Sequence, residues 1–252
     1  MRISLEGRVA VVTGARQGIG AAIAGALLES GASVVITGRD SAQLAQSIRS
    51  ISVLHQGDLR GFVGNVADEA DIDRLVREVP RIDILVNNAG GFLRAVDTQQ
   101  SSSDEWRQQL DVNLTGPFLI SRAVLPGMLE RKWGRIINIG SITASAPALG
   151  NAVGYVAAKA GLVGFTRQLA LEVAQHGVTV NAVNPGTVAT EHLRDYLSTE
   201  GAVTHDSLAA SIPVGRLGTP QEIAGIVPYI ASDLGAFMTG AVVEINGGAL
   251  MA

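Results

Sequence analysis

Val9-Ala10-Val11-Val12-Thr13-Gly14-Ala15-Arg16-Gln17-Gly18-Ile19-Gly20 is an apolar, β-branched run that breaks into a turn with three glycines, and an Ala/Leu-rich helical pattern over 18–29 follows it. A strand with no polar face is what a parallel sheet covered on both sides requires. Gly14 permits a sharp turn, Gly18 lets backbone approach a ligand, and Gly20 lets helix and strand pack closely. The helix that starts there offers unspent N–H groups and the positive end of its dipole. Strand, turn and helix together read as a cradle for a pyrophosphate, formed by Gly14, Arg16, Gln17, Gly18, Ile19 and Gly20. The spacing is G-x-x-x-G-x-G, which also serves a purely structural turn; its place between strand and helix favours binding.

Outward from this unit the same alternation continues. Strands are expected at 8–13, 33–37, 61–63, 82–86, 135–139, 179–182 and 241–245, the third least firmly because 53–62 is atypical. Helical patterns lie at 18–29, 41–50, 69–79, 104–131, 154–175 and 219–232. Strands alternating with helices predict an α/β, Rossmann-type doubly wound fold, with one seven-stranded parallel sheet carrying helices on both faces. No linker or repeat divides the chain, so residues 1–252 are expected to form a single domain. Ser102-x-x-Glu105 has the spacing of a capping box, and Gly31 stands where a helix should stop. Residues 186–218 are irregular, with Gly, Thr, Ser and Pro. A loop of that length in a compact domain is usually functional.

Composition narrows the chemistry. In 252 residues there is no cysteine, which removes disulfides, thiolate metal sites and Cys nucleophiles. The net charge of −4 and the lack of Lys/Arg clusters argue against a nucleic-acid partner. His55, His176, His192 and His205 are scattered without metal-ligand spacing, so no metal is expected. The uncharged stretch between Arg135 and Lys159 holds Asn, Ser, Thr and Pro, which is wrong for a membrane span. No targeting segment is visible, and a cytoplasmic location is expected.

Two further stretches carry chemistry. At the end of the second strand Thr37-Gly38-Arg39-Asp40 puts glycine where a dinucleotide fold often has an acid for the ribose. Arg39, with Arg16, could pair with a 2′-phosphate. Asp40 could instead reach the ribose or neutralise Arg39. NADP(H) is therefore preferred, with NAD(H) possible. Later, Asn87-Asn88-Ala89-Gly90 and Asn138-Ile139-Gly140-Ser141 follow strands, and Tyr155-x-x-x-Lys159 opens a helix. Positions i and i+4 share a helix face. A nearby ammonium favours phenolate, so Lys159 is expected to lower the Tyr155 pKa and fit the phenol for proton transfer at a carbonyl or alcohol oxygen. Y-x-x-x-K alone is weak; strand ends at Thr13, Asn87, Ser141 and Asn184 would gather it with the rest at one sheet edge.

In that order the motifs are specific. With TGARQGIG (13–20), NNAG (87–90), DVNLTG (111–116), INIGS (137–141), YVAAK (155–159), NPGTVAT (184–190), PVGRLGTPQEIA (213–224) and MTGAVVEINGG (238–248), the chain resembles the short-chain dehydrogenase/reductase family over nearly its whole length. PVGRLGTPQEIA and EINGG make it most similar to the family's 3-oxoacyl-[acyl-carrier-protein] reductases. The resemblance implies a hydride transfer between nicotinamide and a carbonyl or secondary alcohol. It makes Tyr155 the acid/base, and Lys159 the group that binds the nicotinamide ribose. Ser141 becomes the hydrogen-bond donor to the substrate oxygen, and Asn113 the holder of a water in a proton relay. Asn88, Ala89 and Gly90 would line the cofactor cleft. Asn65 and Val66 would lie near the adenine, with Asn65 where the family usually has Asp. Pro185, Gly186, Val188 and Thr190 would hold the nicotinamide end, with a substrate lid at about 186–212 that includes His192 and Arg194. Arg94 would face the substrate or solvent.

Two departures bear on the substrate. Ser141 and Tyr155 are 14 positions apart, one more than usual, which reshapes the 142–153 loop and makes Ser145 a fallback hydroxyl. Lys132 and His176 replace arginines that would bind an acidic carrier protein, so that partner is weakly supported. A 3-oxoacyl thioester or small ketone is the expected substrate. An NAD-dependent alcohol, sugar or steroid dehydrogenase and a non-catalytic dinucleotide sensor are the alternatives. A homotetramer is implied, through 104–131, 154–175 and 238–252.

Overall fold

In the computed structural model, which describes residues 3–92, 94–147, 152–200 and 204–251 (side chains of 199 and 200 excepted), the apolar runs form one sheet. Its strands are β1 (Val9–Val12), β2 (Ser33–Gly38), β3 (Leu59–Val63), β4 (Ile84–Asn87), β5 (Gly134–Ile139), β6 (Val178–Pro185) and β7 (Val242–Ile245). All pairings are parallel, in the order β3-β2-β1-β4-β5-β6-β7. The chain steps outward from β1 to β3, then returns to lay β4 on the other side of β1. That reversal opens a crevice beyond the C-terminal ends of β1 and β4, where α/β sheets bind ligands.

The helices are α1 (Gly18–Glu29), α2 (Ser41–Leu54), α3 (Glu69–Glu78), α4 (Ser103–Leu110), α5 (Gly116–Arg131), α6 (Val153–Val173), α7 (Glu191–Glu200), α8 (His205–Ala210), α9 (Pro220–Ala224) and α10 (Val227–Ala231). Alternate residues of each strand serve opposite faces. Val12, Ile36, Val86 and Ile137 pack under α1, α2, α9 and α10 through Ile23, Leu27, Leu44, Ile223 and Ile230. Val11, Val35, Leu85 and Ile136 pack under α3, α5 and α6 through Leu75, Ile120, Val124 and Leu169. Both faces are dry, which is why the strands lack polar alternation.

Several expectations shift. The third strand starts at Leu59, two residues before the expected Gly61. The pattern over 104–131 is two helices: between α4 and α5 the chain makes one π-helical turn, Asp111–Thr115. The capping box of Ser102 and Glu105 is formed at the start of α4, and Gly31 follows α1 at φ +92°. The segment read as irregular contains α7 and α8, the second opened by a Thr204–Ser207 capping box. Leu208, Ile212 and Leu217 bury themselves in a small separate cluster with Leu193 and Leu197. The 142–153 loop is described as far as residue 147 and from 152. Its extra residue therefore falls partly outside the described residues. Among the described residues no helix is long and apolar enough to cross a membrane.

Candidate active site

The glycine turn has the backbone that only glycine adopts easily. Gly14 and Gly18 lie at φ +63° and +58°. A Cβ on Gly14 would come within 2.6 Å of the Ala89 Cα, and one on Gly20 within 2.8 Å of the Ala15 Cα. Thr13 ties this turn to the end of β4. Its Oγ1 accepts the N–H groups of Asn88 and Ala89, both at 2.9 Å. The Asn88 amide returns the tie, donating to the carbonyls of Thr13 (2.9 Å) and Gly14 (3.1 Å). Asn88, expected to line the cleft, is a brace behind its wall. Ala89 and Gly90 do border the cleft.

That cleft has a volume of about 860 Å³. Gly14, Arg16, Arg39, Asn65 and Val66 line it from the β1–β3 side. At its head, α1 has neither a side-chain cap nor an acid in its first turn. Unspent N–H groups at a helix N-terminus fit an anion, so the residues present fit a dinucleotide with its diphosphate there; the Glu191 carboxylate of α7 also approaches this turn, 3.6 Å from a Cβ on Gly18. Asp40 Oδ1 caps α2 by accepting Gln43 N–H at 2.8 Å. Asp40 and the exposed Arg39 both line the cleft, and no ion pair joins them among the described residues. Asn65 Oδ1 accepts Ala67 N–H at 3.1 Å, which leaves that oxygen one lone pair for a further donor.

The π-helical turn comes from Asn113. Its side-chain Nδ2 donates to the Gln109 carbonyl at 3.1 Å, an acceptor that the Asn113 backbone N–H would take in an α-helix. A side chain inserted into the i→i−4 ladder loosens it locally, and such bulges favour functional sites. Asn113 is fully buried and also grips the turn after β4: Nδ2 donates to Gly91 O (3.2 Å), and Oδ1 accepts Gly91 N–H (3.0 Å).

Ser141, at the end of β5, is 8 % exposed. Its backbone N–H donates to Asn184 Oδ1 at 3.2 Å, and Asn184 Nδ2 is held by Glu244 at 2.8 Å. Tyr155, half-buried on the first turn of α6, is hydrogen-bonded to Ser141. Burial pushes its pKa above the usual phenol value, and the Ser141 contact pulls partly back. Lys159, 4 % exposed, donates from Nζ to Ile139 O at 2.8 Å and lies 5.7 Å from the Tyr155 ring centre. Burial brings its own pKa down to about 8. The expectation that Lys159 lowers the Tyr155 pKa is corrected here: both groups are desolvated, and each is shifted toward its neutral form. Ser145 is exposed at the end of the short 3₁₀ turn after Ser141; the hydroxyl on Tyr155 is Ser141.

Beyond the strand ends, Gly186 N–H donates to Ile245 O at 2.9 Å, and Val188 pairs with Gly218. Pro185 closes β6. Thr190 lies against the glycine turn, where its methyl would be 3.3 Å from a Cβ on Gly18. The side chains that bring α7 onto the site were not expected. Phe92 packs edge-on against Tyr155 (6.2 Å between ring centres) and against Tyr196 of α7 (5.3 Å). Next to Tyr155 a cavity of about 320 Å³ is bordered by Arg94, Trp106, Gln108 and Gln109. Arg94 Nε donates to Glu105 at 2.6 Å, so it is a paired cation at the cavity wall. Gln109 could have been suspected from its i, i+4 spacing to Asn113. Phe92 and Tyr196 carry no local signal of this kind, and Asn184, expected at the sheet edge, has its bond to Ser141 only through the pairing of β5 and β6.

A family model described as short chain dehydrogenase matches residues 8–201. The 3-oxoacyl-[acyl-carrier-protein] reductase FabG of Vibrio harveyi is 41 % identical over 255 residues, 99 % of this chain and 100 % of that protein. A 3-oxoacyl-[acyl-carrier protein] reductase of Brucella melitensis, solved with bound NAD, has a TM-score of 0.89 at 33 % identity, covering 100 % of this chain and 94 % of its own. A Beutenbergia cavernae chain assigned as an NAD(P)-dependent gluconate 5-dehydrogenase, solved with NADP at low occupancy, reaches 0.91 at 35 % identity and covers 100 % of both chains. With a full-length match added to the glycine cradle and the Ser141–Tyr155–Lys159 constellation, the chain belongs to the short-chain dehydrogenase family and is an oxidoreductase of CH–OH and ketone groups that uses NAD(P).

Proposed function

We propose that this protein is an NADPH-preferring carbonyl reductase acting on a 3-oxoacyl thioester or a small ketone. The observation that carries it is the Ser141–Tyr155 hydrogen bond at the cavity wall, with Lys159 one turn further along the same helix. A bound nicotinamide supplies the hydride. Tyr155 gives its proton to the substrate oxygen. It is suited to do so because its phenol is kept protonated by burial. Ser141, fixed through Asn184, donates a hydrogen bond to the same oxygen, and Asn113 takes part in the path that reprotonates Tyr155. Lys159 holds the nicotinamide ribose, as an ammonium below pH about 8. Arg16 and Arg39 bind the 2′-phosphate through charge-assisted hydrogen bonds, while Asn65 and Val66 flank the adenine. Pro185, Gly186, Val188 and Thr190 hold the nicotinamide end. Residues 186–212 close over the substrate as a lid and exclude water during transfer.

The exposed apolar residues Phe118 (42 %), Leu171 (75 %) and Phe237 (106 %) on α5, α6 and the C-terminal segment support assembly into a homotetramer. The enzyme works in the cytoplasm. An acyl carrier protein is one possible substrate carrier, with Lys132 and His176 the available contacts. The test is NADPH oxidation over a panel holding an acetoacetyl thioester, its carrier-bound form and small ketones. No turnover of any thioester would discard the acyl version.

A second reading, oxidation of a hydroxy acid such as gluconate, is favoured by one observation: Arg94 borders the same cavity as Tyr155. A guanidinium suits a carboxylate, and a substrate carboxylate here would share Arg94 with Glu105, which borders the same cavity. Gluconate with NADP⁺ or NAD⁺ in place of the ketone panel decides between them.

A further inference from the structure

The last residue but one of α4 sits between the two cavities of the site. Gln109 is 8 % exposed, and it lines the cavity beside Tyr155. Its Oε1 accepts Asn113 Nδ2 at 2.9 Å, while its backbone carbonyl accepts the same amide at 3.1 Å. The opposite side of the Asn113 amide holds both polar groups of Gly91, which borders the cofactor cleft at φ +149°. Against its other side lies α6: a Cβ on Gly154, the residue before Tyr155, would be 3.0 Å from the Gln109 Cβ. One side chain therefore touches the first turn of the helix that carries Tyr155 and fixes the amide that clamps the cleft floor.

We propose that Gln109 is a positioning residue for catalysis: through Asn113 it sets the Gly90–Gly91 turn against the cofactor, and by packing on Gly154 it sets Tyr155 against the substrate. An amide can flip by half a turn at little steric cost. Gln109 Oε1 adds to the restraint on that freedom: a flipped Asn113 would present its oxygen to Gln109 Oε1, Gln109 O and Gly91 O, and of these only Oε1 belongs to a side chain. The inference rests on the reductase reading, and its test therefore includes a readout that needs no turnover.

The full-length Gln109→Met variant keeps the volume and removes the acceptor; Gln109→Glu keeps an acceptor oxygen in place. In Gln109→Met, kcat for acetoacetyl thioester reduction is expected to fall about 10- to 100-fold. The dissociation constant of NADPH, followed by its fluorescence, should rise several-fold, and the pH profile of kcat should shift. Gln109→Glu should recover most of each. A merely structural residue would lower the melting temperature and leave the kcat pH profile and the NADPH constant where they were. That result overturns the proposal, as does Gln109→Glu being as impaired as Gln109→Met. If Gln109→Met does not fold, Gly91 amide hydrogen exchange in Gln109→Asn, which draws the acceptor back from Asn113, decides: loss of protection supports the clamp, and protection close to wild type refutes it. Absent turnover in the wild type would sink the reductase reading alone, because NADPH binding and Gly91 exchange still answer for Gln109.

Discussion

The two edges of the sheet each bury a cation, and they use it differently. At the N-terminal edge Arg135 is 2 % exposed. Its guanidinium donates to Gly134 O (2.9 Å) and Gly177 O (3.3 Å), lies 3.5 Å from Asp233, and stacks 4.3 Å over the Trp133 ring, which also has the Arg8 guanidinium at 3.5 Å and donates its indole N–H to Asp233 at 3.0 Å. Nearby, Asp83 is equally committed, to Val9 N–H at 2.9 Å and to Arg81 at 3.0 Å. At the C-terminal edge Lys159 has, among the described residues, the neutral acceptor Ile139 O, and burial as the cause of its shift. Arg135 is also pulled down by burial, but the charge of Asp233 opposes it. A buried cation surrounded by acceptors, a carboxylate and a ring fastens the fold. One held by a neutral carbonyl, with no carboxylate beside it among the described residues, gives up its proton near neutral pH and can change charge during chemistry.

The largest effect should come from the acid itself. Tyr155→Phe should cut turnover by on the order of 10³-fold while NADPH still binds, since only the proton donor is lost. Single-turnover absorbance at the nicotinamide band measures it, and retained turnover would break the assignment of the C-terminal edge.

Next comes the fastener. Arg135→Ala should cost about 2–4 kcal/mol of stability in denaturant titration, because several bonds and a ring contact go together. Its kcat per folded molecule should stay near wild type. A selective loss of kcat would erase the distinction between the two edges.

Lys159 offers a pH signature. With its folded pKa near 8 and an ordinary value of 10.5, the unfolded chain binds more protons between those limits. Stability therefore rises with pH through that window. Tyr155, raised above its ordinary 10.0, works the other way above pH 10. Between pH 8 and 10 the cofactor-free protein should gain on the order of 1–3 kcal/mol that Lys159→Met does not. Equal slopes would mean that Lys159 is not desolvated as its surroundings imply.

The smallest effect belongs to a cation with no burial at all. Arg39→Ala should reduce the kcat/KM ratio of NADPH over NADH by roughly tenfold, about 1.4 kcal/mol for one lost phosphate contact. An unchanged ratio would move the 2′-phosphate elsewhere, with Arg16 the next candidate.

Most of the scaffold was legible because its signals are local. β-branched runs such as Val9–Val12, the Ser102–Glu105 cap and the glycine at 31 announce their own conformations within a few residues. The irregular reading of 186–212 failed on α7 and α8. Their helix signals are weak, and α8 gains its place by burying Leu208 with Ile212 and Leu217. The division of 104–131 was hidden because Asn113 looks like any polar helical residue until its amide captures the Gln109 carbonyl.

By itself the sequence determined the order of the seven strands and their crossover helices up to residue 175, the glycine turn at 14 and 18, and the i, i+4 pairing of Tyr155 with Lys159. These depend on backbone sterics and helix pitch, which act between near neighbours. The tertiary structure decided the rest. Ser141 and Asn184, 43 positions apart, meet because β5 and β6 are paired. Asp40 caps a helix and lines the cleft with Arg39, and desolvation moves Tyr155 and Lys159 toward neutrality. Burial and long-range hydrogen bonding are properties of the packed chain, and no local stretch of residues encodes them.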